Sequence, residues 1–352
     1  GPQQVKDQLK CEALVLRAYS HYILVNKFAK AYNRATADND PAIPYVTEEW
    51  DISQPTEKAT VKEVYDNILS DLDEAIQINA LPVTAVNRMR MNKASAYAVK
   101  ALALMNMQQF DEASAAAKQA LTFNSVVSNY NQMLSSLTGY ITTYPVVLRP
   151  HLKVEEDIFY TYGLEFFNAI TTHAWNAFEP GHASRDKMAS DRMMYDYMMG
   201  MGMSYIGLDY TFTFDLESGW NGSGVKTTQM YLIVAEAEIR KGNFDAGMDA
   251  LDAIRINRID PSVYAPLKGN VNNMQDAIMN LKRTAHGENV YTLHNFINKK
   301  RWNLFDEYKE TLSRTIGGNV YELRPDSKLW IFPLPANAVN INPNLLPQNY
   351  SL

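Results

Sequence analysis

The sequence predicts an all-α fold, an array of tetratricopeptide-like helical hairpins decorated by long loop insertions and closed by an extended C-terminal tail. Three observations lead there. One segment is an amphipathic helix with its own start signal, one helical hairpin is repeated 134 residues downstream, and the closing stretch "LPANAVNINPNLLPQNY" (334–350) is too rich in Pro and Asn for a long helix or a central strand.

Taken in chain order, residues 13–25 (ALVLRAYSHYILV) are the longest apolar run. Arg17, Ser20 and His21 interrupt it and it is too short to cross a bilayer, so it reads as a buried helix. Cys11, in the same apolar context, reads as a small buried hydrophobe, with no second soft ligand nearby to make a metal site. Residues 61–76 place Val61, Val64, Tyr65, Ile68, Leu69, Leu72, Ala75 and Ile76 at three- and four-residue spacings, and Thr60 with Glu63 forms a capping box. Residues 93–121 read as two helices around a "QQF" turn, forming an antiparallel hairpin. With an offset of 134, Tyr97, Ala101, Ala103, Phe110, Asp111 and Ala116 match Tyr231, Ala235, Ala237, Phe244, Asp245 and Ala250. Small residues at a helix crossing with a large aromatic after the turn are the grammar of stacked tetratricopeptide pairs. The chain is therefore expected to form a single domain over 1–352, with a helical framework at 8–123 and 227–315. A loop-rich insertion occupies 124–226 and an extended tail 320–352.

Composition narrows the function. The 352 residues are 46% hydrophobic and 20% charged, enough to bury a sizeable core. With 33 Lys and Arg against 39 Asp and Glu, and no long basic runs, nucleic acid is not an expected partner. The six histidines form no metal-binding spacing, no serine nucleophile elbow occurs, and "GMGMSYIG" (200–207) has neither the preceding strand nor the lysine of a phosphate loop. Neither a metal nor a cofactor is expected. Gly1-Pro2 reads as a remnant of cloning, so any targeting segment is expected upstream of it.

Five ordered blocks resemble the SusD/RagB family of outer-membrane nutrient-binding lipoproteins: EALVLRAYSHYILVNKF (12–28), IPYVTE (43–48), ATVKEVYDNILSDLDEAI (59–76), YLIVAEAEIRKGNFDAGMDALDAIRINR (231–258) and FPLPANAVNINPNLLPQNY (332–350). The resemblance implies a cell-surface protein that captures oligosaccharide, or sometimes peptide, and passes it to a SusC-like TonB-dependent transporter without performing a reaction. It also implies attachment to the outer membrane through a lipid anchor upstream of this sequence. The tail would then run across the helical framework, with Val339, Ile341, Leu345 and Leu346 packing and the Asn side chains satisfying backbone groups.

Sugar recognition needs flat apolar faces for pyranose C–H groups, rimmed by amides or guanidinium groups that bond hydroxyls. The spans 166–182 and 205–221 supply both. Trp175, Tyr205, Tyr210 and Trp220 are the candidate platforms, with Asn176, Asp209 and Asn221 as hydroxyl partners; the same aromatics would equally fill a satellite core beneath the loops. Tyr32, Asn33 and Arg34 form a second candidate, although a capping turn uses similar residues. Seven methionines within residues 188–203 suit adaptable packing or a plastic surface against the transporter better than copper coordination. Two rival functions are a peptide-binding tetratricopeptide scaffold and a glycoside hydrolase using carboxylates from "EEDIF" (155–159) and "DLE" (215–217).

Overall fold

A computed structural model describes residues 1–51, 54–133, 154–161, 168–188, 210–213, 221–290 and 292–350. It is mostly helical, and its chain divides into two compact units. The first holds Gly1–Val83, Met91–Ala116 and Phe296–Leu352, and the second holds Thr84–Arg90 and Ala117–Asn295.

The first unit is built on α1 (Gln3–Phe28) packed along α2 (Val61–Ile78). The Thr60 capping box forms as the sequence predicts: Glu63 N–H donates to Thr60 Oγ1 at 3.2 Å and Thr60 N–H donates to Glu63 Oε2 at 2.8 Å. Of the face that periodicity selects, Val61, Val64, Tyr65, Ile68, Leu72 and Ala75 are buried, and Leu69 and Ile76 are half-buried at its edge. Cys11 is buried too, its thiol donating to Ala75 O at 3.5 Å. Residues 43–48 are held to α1 by polar contacts. Val46 N–H donates to His21 Nε2 at 2.9 Å, Tyr45 stacks on that imidazole at 3.9 Å, and Tyr45 O–H donates to Asp71, which also receives a two-pronged Arg17 at 2.7 Å. Because Nε2 accepts, His21 carries its proton on Nδ1 and donates to Arg17 O at 2.9 Å.

The two predicted hairpins share one geometry. In the first, α3 (Lys93–Asn106) is joined to α4 (Phe110–Phe123) through Met107–Gln109, where Gln108 adopts a left-handed φ of 62°. Helices α5 (Tyr130–Met133), α6 (Thr172–Asn176) and α7 (Ala183–Met188) are short. The second hairpin joins α8 (Thr227–Arg240) to α9 (Phe244–Arg255), so the starts of all four hairpin helices obey the 134-residue offset. At its crossing, a Cβ on Gly247 would lie 2.8 Å from Ile239 Cγ1, so the contact admits only glycine without a shift. Helices α10 (Met274–Asn289) and α11 (Leu293–Trp302) follow.

The α1 C-terminus is completed by residues distant in sequence. The buried Lys300 donates to Asn26 O at 2.9 Å and to Ala29 O, placing a cation where the helix dipole favours one, although burial pulls its ammonium down to about 7. In the tail, Asn349 donates to Phe28 O and Ala42 O, both at 2.6 Å, while its own carbonyl accepts from Lys58 at 3.0 Å. Asn342 likewise donates to Thr56 O at 2.8 Å. The amides thus satisfy backbone groups as the resemblance implies, but the apolar packing differs. Leu345 is buried along with Trp330, Ile331 and Leu334, whereas Ile341 is 79% exposed and Leu346 51%. Both sit at the ends of brief helical turns, α12 (Ala336–Ile341) and a 3-10 turn (Pro343–Leu345), whose curvature faces them outward.

Among the described residues three small antiparallel pairs interrupt the helices: β1 (Asp157–Phe159) with β4 (Val225–Lys226), β2 (Asn168–Thr171) with β3 (Tyr210–Thr213), and β5 (Leu312–Ile316) with β6 (Asn319–Leu323). The last pair turns on Gly317-Gly318, both at positive φ as a two-residue primed turn requires.

The core of the second unit contains a closed knot of buried charge. Arg258 Nε donates to Glu288 Oε1 at 2.6 Å, its Nη2 to Glu156 Oε2 at 3.0 Å, and its Nη1 to Ser128 O at 2.5 Å. Lys226 Nζ lies 3.3 Å from Glu288 Oε2, and Tyr130 donates to Glu156 Oε1 at 2.8 Å beneath the guanidinium, which sits 3.7 Å from its ring centre. Burial alone would raise the Glu288 carboxyl. The charges of Arg258 and Lys226 overrule it and hold that group far below the usual carboxylate range.

Removing the central cation leaves two buried carboxylates short of a partner. Arg258→Met should therefore lower unfolding free energy by about 3–5 kcal/mol, read from the urea midpoint; a midpoint within error of wild type would show that the knot carries no weight. Asn349→Ala should lower it by about 2 kcal/mol by orphaning two carbonyls, checked in the same way. Acid sensitivity follows from His182 and His294, which burial pushes down to about 3 and about 4. Below about pH 6.5 the unfolded chain protonates both while the folded chain does not, so stability should fall by about 1.4 kcal/mol per pH unit for each. Urea midpoints measured from pH 7.5 to 4.5 test this, and a flat profile would contradict it.

Candidate functional site

The segment THAWNAFEPGHASRDKM (172–188) in the second unit presents polar and aromatic groups from a firmly held backbone. Pro180-Gly181 turns the chain between α6 and α7. Gly181 has φ +78°, and a Cβ there would run into Val263, so both conformation and space require glycine. Phe178 is buried between His182 at 5.0 Å and His286 at 5.1 Å, measured between ring centres. Glu179 grips Arg255 with both oxygens, one at 2.9 Å from Nε, and Arg255 is also paired with Asp252.

Backbone bonds then seat this segment beside the charged knot. Ala183 N–H donates to Arg258 O at 2.8 Å and Asp260 N–H to Gly181 O at 2.8 Å, with an isolated bridge between His182 and Ile259. His286 Nε2–H donates to Ala174 O at 2.7 Å, pinning α6 to α10. The neutral His182 accepts Ser184 N–H on Nδ1 at 3.2 Å, and Gly287 leaves its ring room, since a Cβ there would lie 2.9 Å from Nε2.

On this support Trp175 is partly exposed and Asn176 exposed, both at the end of α6. Pairing of Thr171 with Tyr210 brings the β3 backbone to the start of the same helix, so three of the predicted residues are drawn together. Sequence reasoning missed Arg185. It stands on α7 with its guanidinium 6.0 Å from the Trp175 ring centre, and its side chain is 30% exposed. The available signal was an arginine just past the Pro-Gly turn that folds α7 back toward α6.

The other candidates fall differently. Tyr205, Asp209 and Trp220, and the methionine run at 193–203, lie outside the described residues. Asn221 is buried, donating to Asp157 Oδ1 at 3.1 Å and Phe159 O at 2.7 Å and accepting from Thr161 N–H at 3.1 Å. It braces β1, and its amide is not available to a ligand. Tyr32, Asn33 and Arg34, in the first unit, form the structural turn instead of a ligand site. Tyr32 is buried edge-on to Tyr65 at 5.4 Å, Asn33 accepts from Ala35 N–H at 3.0 Å, and Arg34 donates to Gln108 O at 2.5 Å.

Of the carboxylates proposed for hydrolysis, Glu156 is sealed in the knot, Asp157 receives Asn221 and Glu155 is exposed, while Asp215 and Glu217 lie outside the described residues. Among the described residues no three His, Cys, Asp or Glu side chains gather to hold a metal ion, and no helix is long and apolar enough to cross a membrane.

Comparison with known proteins places this arrangement. A SusD-like family model, described as starch-binding and associating with the outer membrane, matches residues 2–103. No curated protein matches the chain by sequence. Among solved structures, a SusD superfamily protein from Bacteroides thetaiotaomicron superposes with a TM-score of 0.75 at 16% identity, over 100% of this chain and 80% of that one. A putative sugar binding protein from Bacteroides vulgatus gives 0.69 at 16% identity over 97% and 77%. Surface glycan-binding protein A from Bacteroides uniformis gives 0.67 at 15% identity over 100% and 80%. The chain therefore carries a SusD-like signature over residues 2–103 and shares the fold of SusD superfamily structures along its length.

Proposed function

We propose that this chain is a non-catalytic carbohydrate-binding protein of the outer-membrane surface, which captures oligosaccharide and hands it to a SusC-like TonB-dependent transporter. The observation that carries the reading is the family's fold over the full chain together with an indole and an amide displayed at the end of α6 on a clamped backbone. Trp175 offers the flat apolar face that a pyranose stacks on, and Asn176 a donor and an acceptor for its hydroxyls. Tyr210 is proposed as a second platform from the paired β3 strand, with Tyr205, Asp209 and Trp220 completing the surface. A lipid anchor attached upstream would hold the protein at the membrane.

Capture without chemistry is the simplest use of such a surface, because stacking and hydroxyl bonds supply affinity while leaving the glycosidic bond intact. Affinity electrophoresis against a polysaccharide panel, run beside a reducing-sugar assay, tests this. Retardation by at least one glycan with no new reducing ends is the expected result; time-dependent reducing ends would identify a hydrolase instead. Trp175→Ala should weaken retention about tenfold, the worth of one aromatic contact, and unchanged retention by a folded variant would remove Trp175 from the surface.

A further inference from the structure

We infer that the surface around Trp175 selects acidic glycans, with Arg185 as the group that reads a sugar carboxylate or sulfate; this rests on the glycan-capture reading above. Three observations converge on it. The Arg185 guanidinium lies over the Trp175 ring, 6.0 Å from its centre, at the outer range of a cation–π contact. Among the described residues one carboxylate is paired with it, that of its chain neighbour Asp186, 3.8 Å from Nε and beyond hydrogen-bonding distance. Arg185 Nε is itself shielded from solvent and has no hydrogen-bond partner among the described residues.

This arginine differs from the others in the second unit for which bonds are described. Arg255 is engaged by Glu179 and Asp252, Arg258 by Glu156 and Glu288, and Arg240 by Glu236. A guanidinium presents planar donors in a fork that matches a carboxylate or a sulfate edge, and leaving a shielded N–H without an acceptor is unfavourable. An oxyanion on a sugar stacked at Trp175 would meet the guanidinium from the exposed part of the side chain, within the same contact. Neutral hydroxyls would supply a weaker one.

The location is also consistent with specificity rather than a general attraction for polyanions. The chain carries a net charge of -6, so its long-range field repels acidic polymers, and retention of one must come from a local contact. Glu179 lies nearby in sequence, with both of its carboxylate oxygens engaged by Arg255.

The test uses the whole protein and two matched probes, polygalacturonate and its fully methyl-esterified form, with a sulfated polysaccharide as a third arm. Polygalacturonate, or the sulfated polymer if sulfate is the true group, should be retained about tenfold to a hundredfold more tightly than the ester, as one charge-assisted bidentate contact provides. Arg185→Ala should erase that preference and Arg185→Lys should restore part of it, with circular dichroism confirming the fold of each. Equal retention of acid, sulfate and ester by the wild-type protein would overturn the inference while leaving glycan capture standing. Failure to retain any polysaccharide would instead remove the capture reading on which it rests.

Discussion

The second unit depends on the burial of Arg258. A guanidinium excluded from water is tolerable only if charge and hydrogen bonds replace its hydration, and here they do so from three separate stretches of chain: Ser128 with the ring of Tyr130 at the start of α5, Glu156 just before β1, and Glu288 on α10. Lys226 on β4 balances the second carboxylate, so the knot closes with two cations and two anions. Such a cluster is a weak source of net stability but a strong source of uniqueness, because any misregister strands a charge in the core. Its consequence for function is positional. The carbonyl of Arg258 receives the N–H of Ala183, and the neighbouring Asp260 N–H reaches Gly181, so the segment bearing Trp175 and Arg185 is fastened to the most constrained residue of the unit.

The first unit is constrained in another way. A 26-residue helix leaves a set of carbonyls at its C-terminus that its own sequence does not cap. Lys300 and Asn349 meet part of that demand from α11 and from the tail, and Phe332 N–H reaches Lys27 O at 2.9 Å. The Pro- and Asn-rich ending is explained by that task. A regular element would spend its amides on itself, whereas an irregular one can aim them at carbonyls elsewhere.

These two constraints explain what was legible in the sequence. Local signals were sufficient for α2, whose capping box and buried face follow from Thr60, Glu63 and the spacing of its apolar residues, and for both hairpins, whose matched residues on either side of the turn make the 134-residue offset visible. The β5–β6 hairpin was legible in principle, since Gly317-Gly318 sits between two strand-like runs, but it was subsumed into the helical framework and the tail. Asn221 and Tyr32 were misassigned because an amide or a ring that faces a ligand and one that faces the core are the same residue in sequence. Only the partners Asp157, Phe159 and Tyr65, distant along the chain for Asn221 and Tyr32 alike, separate the two roles. The charged knot left no local trace, as its members are scattered from Ser128 to Glu288.

The same reasoning accounts for why a binding surface can be built on so short a helix. With five residues, α6 cannot hold itself in place, since nucleation costs more than its few internal bonds return. His286 supplies an external bond to Ala174 O, Phe178 inserts between two imidazoles, and Glu179 anchors the exit of the turn on Arg255. Each contact restricts the backbone on one side of Trp175 without touching the indole itself. The ring and the neighbouring guanidinium are therefore displayed with their freedom already reduced, so a weak polar ligand need not supply the energy of ordering them.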